Sequence, residues 1–420
     1  MRIVYLNPVG VLGGGERNLL DIMASVHQAN PEAELHLVCG SDGPLVDAAR
    51  SIGIHAMVVP MPERLARLGD SDLKQRSRMS RMVHSLSRLA LSALSVSRYA
   101  KTLRCVIEGL SPDIVHSNGI KCHLLTSFVV PRSIPVVWQI QDYLGSRTLV
   151  PRLMRRAAKC APRVIAISES VAEDVRRVLP GTSVETVYSA IDTDAFSPAT
   201  GYGEWLDDLA GFTPASDGVL RIGLVATYAR WKGHTVFLEA ASRLTTSVAV
   251  NQLRFYVIGG PIYATQGSQY SESELRERAI QLGMIDHVGF VPFQQNIADI
   301  YRSLDIVVHA STLPEPFGRT IVEAMSCARP VVVAAAGGAA ELIDDGISAL
   351  AAEPGNVSSL CEALRRLIRM PTLRRQVGGN ARNVACERFS RFRLADEIGD
   401  QYSQLISETR LRYGVSGTNA

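Results

Sequence analysis

The stretch Ser311–Glu341, STLPEPFGRTIVEAMSCARPVVVAAAGGAAE, decides the fold. Glu315 and Glu323 bracket seven residues, and between them Pro316-Phe317-Gly318 reads as a turn opening a helix. Pro330 and a run of valines then start a strand that ends in Gly337-Gly338. Strand, glycine turn and helix entrance in close succession are the parts of a doubly wound α/β sheet. The free N–H groups and the dipole at such helix entrances attract anions, so phosphate is the expected ligand. Carboxylates beside a phosphate site repel the phosphate and are better suited to accept hydrogen bonds from hydroxyls. Phosphate next to a polyol is the chemistry of a nucleotide sugar, and the rest of the chain has to support that reading.

Upstream of this stretch, the second half opens on a strand, Leu220–Ala226, followed by Arg230 and Lys232-Gly233 in a loop and then a helix through Val236, Phe237, Leu238 and Ala240. Two cations in a βα loop suit a diphosphate; the alternative is a chance surface placement. Strands at Arg254–Ile258, Val288–Val291 and Ile306–His309 alternate with helices. Asn356–Arg369 and Thr372–Arg388 read as amphipathic helices, and Phe392–Ile406 as a last helix whose packing partner periodicity does not specify.

The first half opens the same way. Ile3–Leu6 runs into Gly10 and Gly13-Gly14-Gly15-Glu16, and a helix follows on Leu19, Leu20, Ile22, Met23 and Val26. These glycines lack GxGxxG spacing, and no acidic residue closes the next strand, Leu35–Cys39, which argues against a dinucleotide site. Close approach to a ligand is the preferred reading of the loop, with a plain flexible turn as the alternative. Further strands are read at Ile54–Pro60, Asp113–His116, Val136–Ile140, Val164–Ile167 and Val184–Tyr188. His116, in His-Ser-Asn-Gly at a strand end, is either a hydrogen-bonding ligand or a satisfied structural histidine. Phe196–Gly218, rich in Pro, Gly and Asp, reads as the interdomain linker.

At 420 residues, two domains are the natural prior. The net charge of +3 is too small to argue for nucleic acid. The seven cysteines are scattered with no CxxC pair, so neither a zinc site nor a disulfide framework is expected and a reduced cytosol fits. Met1-Arg2-Ile3-Val4-Tyr5 enters a strand at once, so no signal peptide is expected, and no apolar run is long enough for a transmembrane helix. Residues 61–105 break the rhythm with ten cations, among them Arg78, Arg81 and Arg88, against Glu63, Asp70 and Asp72. From Met79, the apolar residues Met82, Val83, Leu86, Leu89, Ala90, Ala93 and Leu94 share an arc of about 140°. This is a helix packed on its own sheet with a solvated basic face or, more sharply, a surface for anionic lipid or a polyanionic acceptor.

With these residues in hand, the chain resembles a family 4 glycosyltransferase of the GT-B fold over nearly its whole length. Glu315–Met325 resembles that family's E-x7-E motif, and Gly337-Gly338 with Glu341 its GGxxE. Lys232-Gly233 is similar to its lysine-glycine loop, Gly13–Glu16 to its GGxE, and Asp113–His116 to its DxxH. Tyr188–Pro198, YSAIDTDAFSP, resembles a segment that usually reads YNGxDxxxFxP. The resemblance implies two Rossmann-like domains facing across a cleft: an acceptor-side domain over 1–200, a donor-binding domain over 219–390, and a crossover helix and tail over 391–420. It also implies a nucleotide-sugar donor, no metal or other cofactor, and transfer with retention of configuration. By the same resemblance, Glu315 would meet the sugar hydroxyls and Glu323 the ribose. Arg230 and Lys232 would take the diphosphate with backbone groups at Phe317, Gly318 and Arg319, and Gly14 and Gly15 would approach it from the first domain. His116 would sit beside the reacting sugar, backbone groups near Val291 would face the base, and Asn118, Gln141 and Asp142 would lie on the acceptor side. The chain departs from the family pattern where Ala226-Thr227 replaces Gly-Arg, Gln141 a histidine, Ser189-Ala190 Asn-Gly, and Ala328 a glycine.

The reading that results is a cytoplasmic sugar transferase, peripheral on the inner membrane face if the basic segment meets lipid, which extends a cell-surface glycan or glycolipid and does not bind nucleic acid. Three alternatives stay open. A nucleotide-sugar epimerase of the same architecture would release free nucleotide or isomerised sugar without an acceptor. A sugar-binding protein would normally need an export signal. A catalytically silent homologue would keep much the same binding residues.

Overall fold

The computed structural model describes residues 1–66, 85–147, 149–160, 162–199, 201–213, 215, 218–246, 252–261 and 268–414. Most of the basic stretch expected to meet lipid, including Arg67, Lys74, Arg76, Arg78 and Arg81, lies outside the described residues, as do Met82 and Val83 and the side chains of 85–94. The chain divides into two compact units, Met1–Tyr188 with Arg391–Ala420, and Ser189–Ser390. Each is a parallel sheet clothed in helices, and together they make the GT-B architecture.

In the first unit the chain alternates β1 (Arg2–Asn7), α1 (Gly14–Ala29), β2 (Glu34–Cys39), α2 (Pro44–Ser51), β3 (His55–Val58), α3 (Glu63–Ala66), α4 (Ser85–Leu110), β4 (Ile114–Asn118), α5 (Ile120–Val129), β5 (Val136–Ile140), α6 (Val150–Ala157), β6 (Arg163–Ala166), α7 (Glu169–Val178) and β7 (Val184–Thr186). The strands lie in the order β3-β2-β1-β4-β5-β6-β7, all parallel. Their continuous apolar runs follow from burial on both faces. One face packs Val4, Leu6 and Val115 against Tyr99, Leu103 and Ile107 of α4 and Leu125 of α5. On the other face the final helix, Leu394–Tyr413, lies against α1, where the Ala395 N–H donates to Ser25 Oγ at 2.9 Å. Buried Arg163 at the start of β6 holds the same helix through Gln401 Oε1 at 3.0 Å and Glu408 Oε1 at 3.0 Å.

The second unit runs α8 (Gly203–Leu209), β8 (Leu220–Val225), α9 (His234–Thr245), β9 (Leu253–Ile258), α10 (Glu272–Gln281), β10 (Val288–Val291), α11 (Ile297–Ser303), β11 (Ile306–His309), α12 (Arg319–Ser326), β12 (Val331–Ala334), α13 (Gly338–Glu341), β13 (Leu350–Ala352), α14 (Val357–Arg369) and α15 (Pro371–Phe389). Its strand order is β10-β9-β8-β11-β12-β13, again all parallel. Side chains cap the helices where sequence suggests they should. Ser271 and Glu274 form a reciprocal capping box on α10, and Asn356 Oδ1 accepts from the N–H groups of Ser358 and Ser359 on α14.

Two expectations need correction. The boundary falls at Tyr188–Ser189, not near residue 200. Four arginines of the second unit grip the 190–199 segment by its carbonyls: Arg319 at Ala190, Arg382 at Thr193 and Phe196, Arg302 at Ala195 and Ser197, and Arg329 at Ala199. The stretch read as a linker, Phe196–Gly218, also contains α8. That helix is held because Asp207, fully buried, accepts from Arg221 at 2.6 Å and pairs with Arg254 at 2.8 Å.

Candidate functional site

In each unit the strand order reverses beside the first strand, and ligands of such sheets bind outside the carboxyl ends at that point. In the second unit these ends belong to β8 and β11. The loop after β8 makes a short turn at Arg230–Lys232, and Gly233, at φ +75°, starts α9. A Cβ at Gly233 would stand 1.8 Å from the Ala310 carbonyl oxygen, so the loop can lie against the end of β11 only with glycine there. The Thr312 N–H donates to Trp231 O at 2.7 Å and completes the seam.

That seam brings Lys232 to Glu315. The ammonium lies 2.8 Å from both carboxylate oxygens. Glu315 Oε2 also accepts from Ser311 Oγ at 2.9 Å and faces His309 Nε2 at 3.2 Å. Glu315 is buried, and burial alone would raise its carboxyl; the Lys232 charge and the His309 contact hold it well below the usual carboxylate range. The Glu315 N–H donates to Ala336 O at 3.2 Å, which sets the carboxylate beside the Gly337-Gly338 turn.

Glu323 lies on α12, one turn after Arg319, whose Nε approaches Oε1 at 3.2 Å. The Tyr301 hydroxyl donates to Glu323 Oε2 at 2.9 Å. Gly318, at φ +107°, caps α12 and turns its first N–H groups toward the carboxyl edge. Phe317 points the other way and is buried edge-on against Phe389 at 5.9 Å, so its side chain anchors the turn. The structure separates Arg230 from Lys232: the Arg230 guanidinium lies 2.7 Å from Glu274 and 4.3 Å over the Tyr270 ring. Val291 is buried at the end of β10, and its carbonyl accepts from the Gly259 N–H at 3.0 Å.

In the first unit the reversal lies between β1 and β4. Asn118 Nδ2 donates to Asn7 Oδ1 at 2.7 Å, and Gln141 Nε2 donates to Asn118 Oδ1 at 3.1 Å. Both amides also approach the Gly15 carbonyl at 3.5 Å. A Cβ on Gly15 would touch Gln141 Cγ at 3.4 Å, while one on Gly14 meets nothing within 4 Å. Glu16 accepts from the Gly13 N–H at 3.1 Å, and burial raises its carboxyl. Asp142 pairs with Arg147 at 2.7 Å. His116 lies one step below this edge and is fully buried. Its Nε2 donates to Gln139 Oε1 at 3.0 Å, and Nδ1 accepts from the Tyr402 hydroxyl at 2.6 Å. Burial lowers its pKa to about 4. Of the two readings open for His116, the satisfied structural histidine describes this geometry, and a place beside a reacting sugar does not.

Sequence reasoning missed His309, Ser311, Tyr301 and Asn7. The H-x-S-x3-E spacing from His309 to Glu315 was a usable signal, because alternate residues leaving a strand end converge on one side. Tyr301 reaches Glu323 from another helix and left no local signal. Among the described residues, no group of three or more His, Cys, Asp or Glu could hold a metal ion, and no helix is long and apolar enough to cross a membrane.

Comparison with known proteins matches this two-part construction. Residues 12–195 match the family model Glycosyltransferase Family 4, and residues 213–384 match the model Glycosyl transferases group 1. The chain belongs to the family 4 glycosyltransferases. Among curated relatives of this family 4 chain, D-inositol 3-phosphate glycosyltransferase 2 of Catenulispora acidiphila is 32% identical over 262 residues, which is 60% of this chain and 58% of that protein. The D-inositol 3-phosphate glycosyltransferase of Actinosynnema mirum is 31% identical over 241 residues, 52% of this chain and 56% of that one. The chain thus spans a little over half the length of the curated relatives it matches. Among solved structures, Anabaena Alr3699/HepE in complex with UDP-glucose aligns with a TM-score of 0.76 over 96% of this chain and 100% of that one. At 23% identity, that likeness is one of fold.

Proposed function

We propose that this family 4 member transfers a sugar from a nucleoside-diphosphate sugar to an acceptor hydroxyl, with retention of configuration at the anomeric carbon and without a metal. The observation that carries the reading is the Lys232–Glu315 pair, its carboxylate buried, at the carboxyl ends of β8 and β11, one helix entrance away from the Arg319–Glu323–Tyr301 group. A cation beside free helix N–H groups suits a diphosphate, and two buried carboxylates suit the hydroxyls on either side of it.

In this mechanism Lys232 and the first N–H groups of α12 draw charge onto the diphosphate as the bond from the anomeric carbon to its oxygen breaks. The acceptor oxygen forms its bond on the same face, and its proton passes to the departing diphosphate. Glu323 holds the ribose, and Glu315 holds the transferred sugar through its hydroxyls, so the protein supplies orientation and charge stabilisation instead of a strong base. The carboxamides of Asn7, Asn118 and Gln141 are assigned to acceptor hydroxyls. A polyhydroxyl acceptor agrees with the inositol phosphate named for the curated relatives, and a growing cell-surface glycan or glycolipid on the cytosolic side of the membrane is the acceptor we assign. Contact with anionic lipid through residues 61–105 belongs to the same proposal; co-sedimentation with anionic vesicles at low salt is expected, and its absence removes that part.

The deciding experiment is a thermal-shift panel of nucleotide sugars, since a bound donor raises the melting temperature by mass action. Stabilisation by one donor and by its nucleoside diphosphate is expected, followed by transfer to glycan acceptors with the anomeric configuration read by NMR. No stabilisation by any common nucleotide sugar at millimolar concentration would overturn the reading.

A further inference from the structure

We propose that His309 and Ser311 are positioning residues that keep Glu315 in place while Lys232 passes from that carboxylate to the donor's diphosphate. The inference rests on the donor-site reading above. Lys232 sits equally, at 2.8 Å, from both oxygens of Glu315, so the site already places an anion against the cation it needs for the diphosphate. The Lys232 ammonium also lies 4.1 Å from the centre of the Trp231 ring, and the Trp231 carbonyl lies in the seam that fixes the loop. A diphosphate carries more negative charge than one carboxylate and competes for the ammonium. Glu315 would then be a buried carboxylate that has lost the Lys232 charge, a cost that hydrogen-bond donors on it offset.

His309 and Ser311 are those donors. The Ser311 hydroxyl lies 2.9 Å and His309 Nε2 3.2 Å from the same oxygen, Oε2. His309 Nδ1 is buried and has no hydrogen-bond partner among the described residues. Nε2 is therefore the ring nitrogen that presents its proton to Glu315. Ser311 Oγ is 3.1 Å from that same nitrogen, so its own proton is left for Glu315. Oε2 stays anchored by these two donors while Lys232 moves away from Oε1 and the sugar hydroxyls approach. Lys232 and Glu315 are thus exchange partners: the pair joined here separates when a diphosphate binds.

The test uses the full-length protein, the donor found in the nucleotide-sugar panel, and inorganic diphosphate as a second probe. His309→Leu and Ser311→Ala are expected to lower kcat about tenfold each while donor KM stays within about twofold. His309→Gln, which puts an amide N–H near the place of Nε2, is expected to recover most of the lost turnover. Glu315→Gln removes the competing anion and is expected to tighten inorganic diphosphate binding by calorimetry about tenfold, although turnover falls. The proposal is overturned if His309→Gln and His309→Leu are equally slow, if Ser311→Ala loses melting temperature but no turnover, or if Glu315→Gln binds inorganic diphosphate no better than the natural protein. If His309→Leu fails to fold, Ser311→Ala and Glu315→Gln still decide the matter. Failure of the donor-site reading looks different: the unaltered protein then responds neither to any nucleotide sugar nor to inorganic diphosphate, and the inference falls with it.

Discussion

Gly233 shows how one backbone conformation sets the chemistry around it. Its φ of +75° and the Ala310 carbonyl, 1.8 Å from where a Cβ would stand, leave room only for hydrogen. Gly233→Ala is therefore expected to cost about 2–4 kcal/mol in urea melts and to lower donor affinity, because Lys232 moves with the loop. An unchanged midpoint and unchanged affinity would contradict this. The two carboxylates should separate kinetically. Glu323→Ala is expected to weaken donor binding, and Glu315→Ala mainly to lower turnover, each by about 2–4 kcal/mol. Equal effects on KM and kcat in both variants would remove the division of labour between ribose and sugar. Both glutamates and Lys232 were legible because their spacing around glycine turns is local. The place of Arg230 was not: its contacts are Glu274 and Tyr270, supplied by α10 and the loop before it, beyond α9 and β9.

Among elements, the final helix illustrates a role that no periodicity reveals. Its amphipathic pattern shows that a face is buried but not against what; Ser25, Arg163 and His116 settle that within the first unit. Tyr402→Phe leaves His116 Nδ1 without its donor and is expected to cost about 1–3 kcal/mol. Amide exchange in β4 and in Leu394–Tyr413 should accelerate together, and faster exchange in the helix alone would show that the Tyr402–His116 bond does not couple them. The Phe196–Gly218 stretch makes the complementary point. Its Pro, Gly and Asp content marks turns correctly, yet seven of its residues are helical because Asp207 finds two arginines on β8 and β9. Short β13 was missed for a similar reason: three residues leave no alternation to read, and the strand is defined by its pairing with Val332–Ala334.

For the whole molecule, pH provides a test that needs no ligand. Burial depresses His116 to about 4, His123 to about 3 and His234 to about 4, all below the ordinary histidine value near 6.5. The unfolded chain thus takes up protons first. Stability is intact above about pH 6.5 and falls as the pH drops toward 4, with each such histidine steepening the loss by up to about 1.4 kcal/mol per pH unit. Glu315, held below the usual carboxylate range, stays charged in the fold and adds to the loss only at the acid end of that window, where the unfolded chain's carboxyl takes up its proton first. Urea melts at pH 7.5, 6 and 5 check this, and a flat profile would show that the buried histidines find partners on protonation. Transfer activity is expected to persist in excess chelator; its loss, restored by added divalent metal, would reject the metal-independent mechanism.

By itself, the sequence determined that the chain makes two parallel α/β sheets and that glycine turns lie at Lys232-Gly233 and around Glu315–Gly338. Both follow from local physics: apolar runs of strand length, helical periodicity, and glycines whose backbone only a tight turn requires. Tertiary structure alone decided which of the marked residues meet. It joined Lys232 to Glu315 and sent Arg230 to Glu274. It buried His116 one step beneath the strand end and brought His309, Ser311 and Tyr301 to the two carboxylates. Those pairings link residues on different strands and helices, and their geometry is set by sheet order and by burial, which no short window of sequence contains.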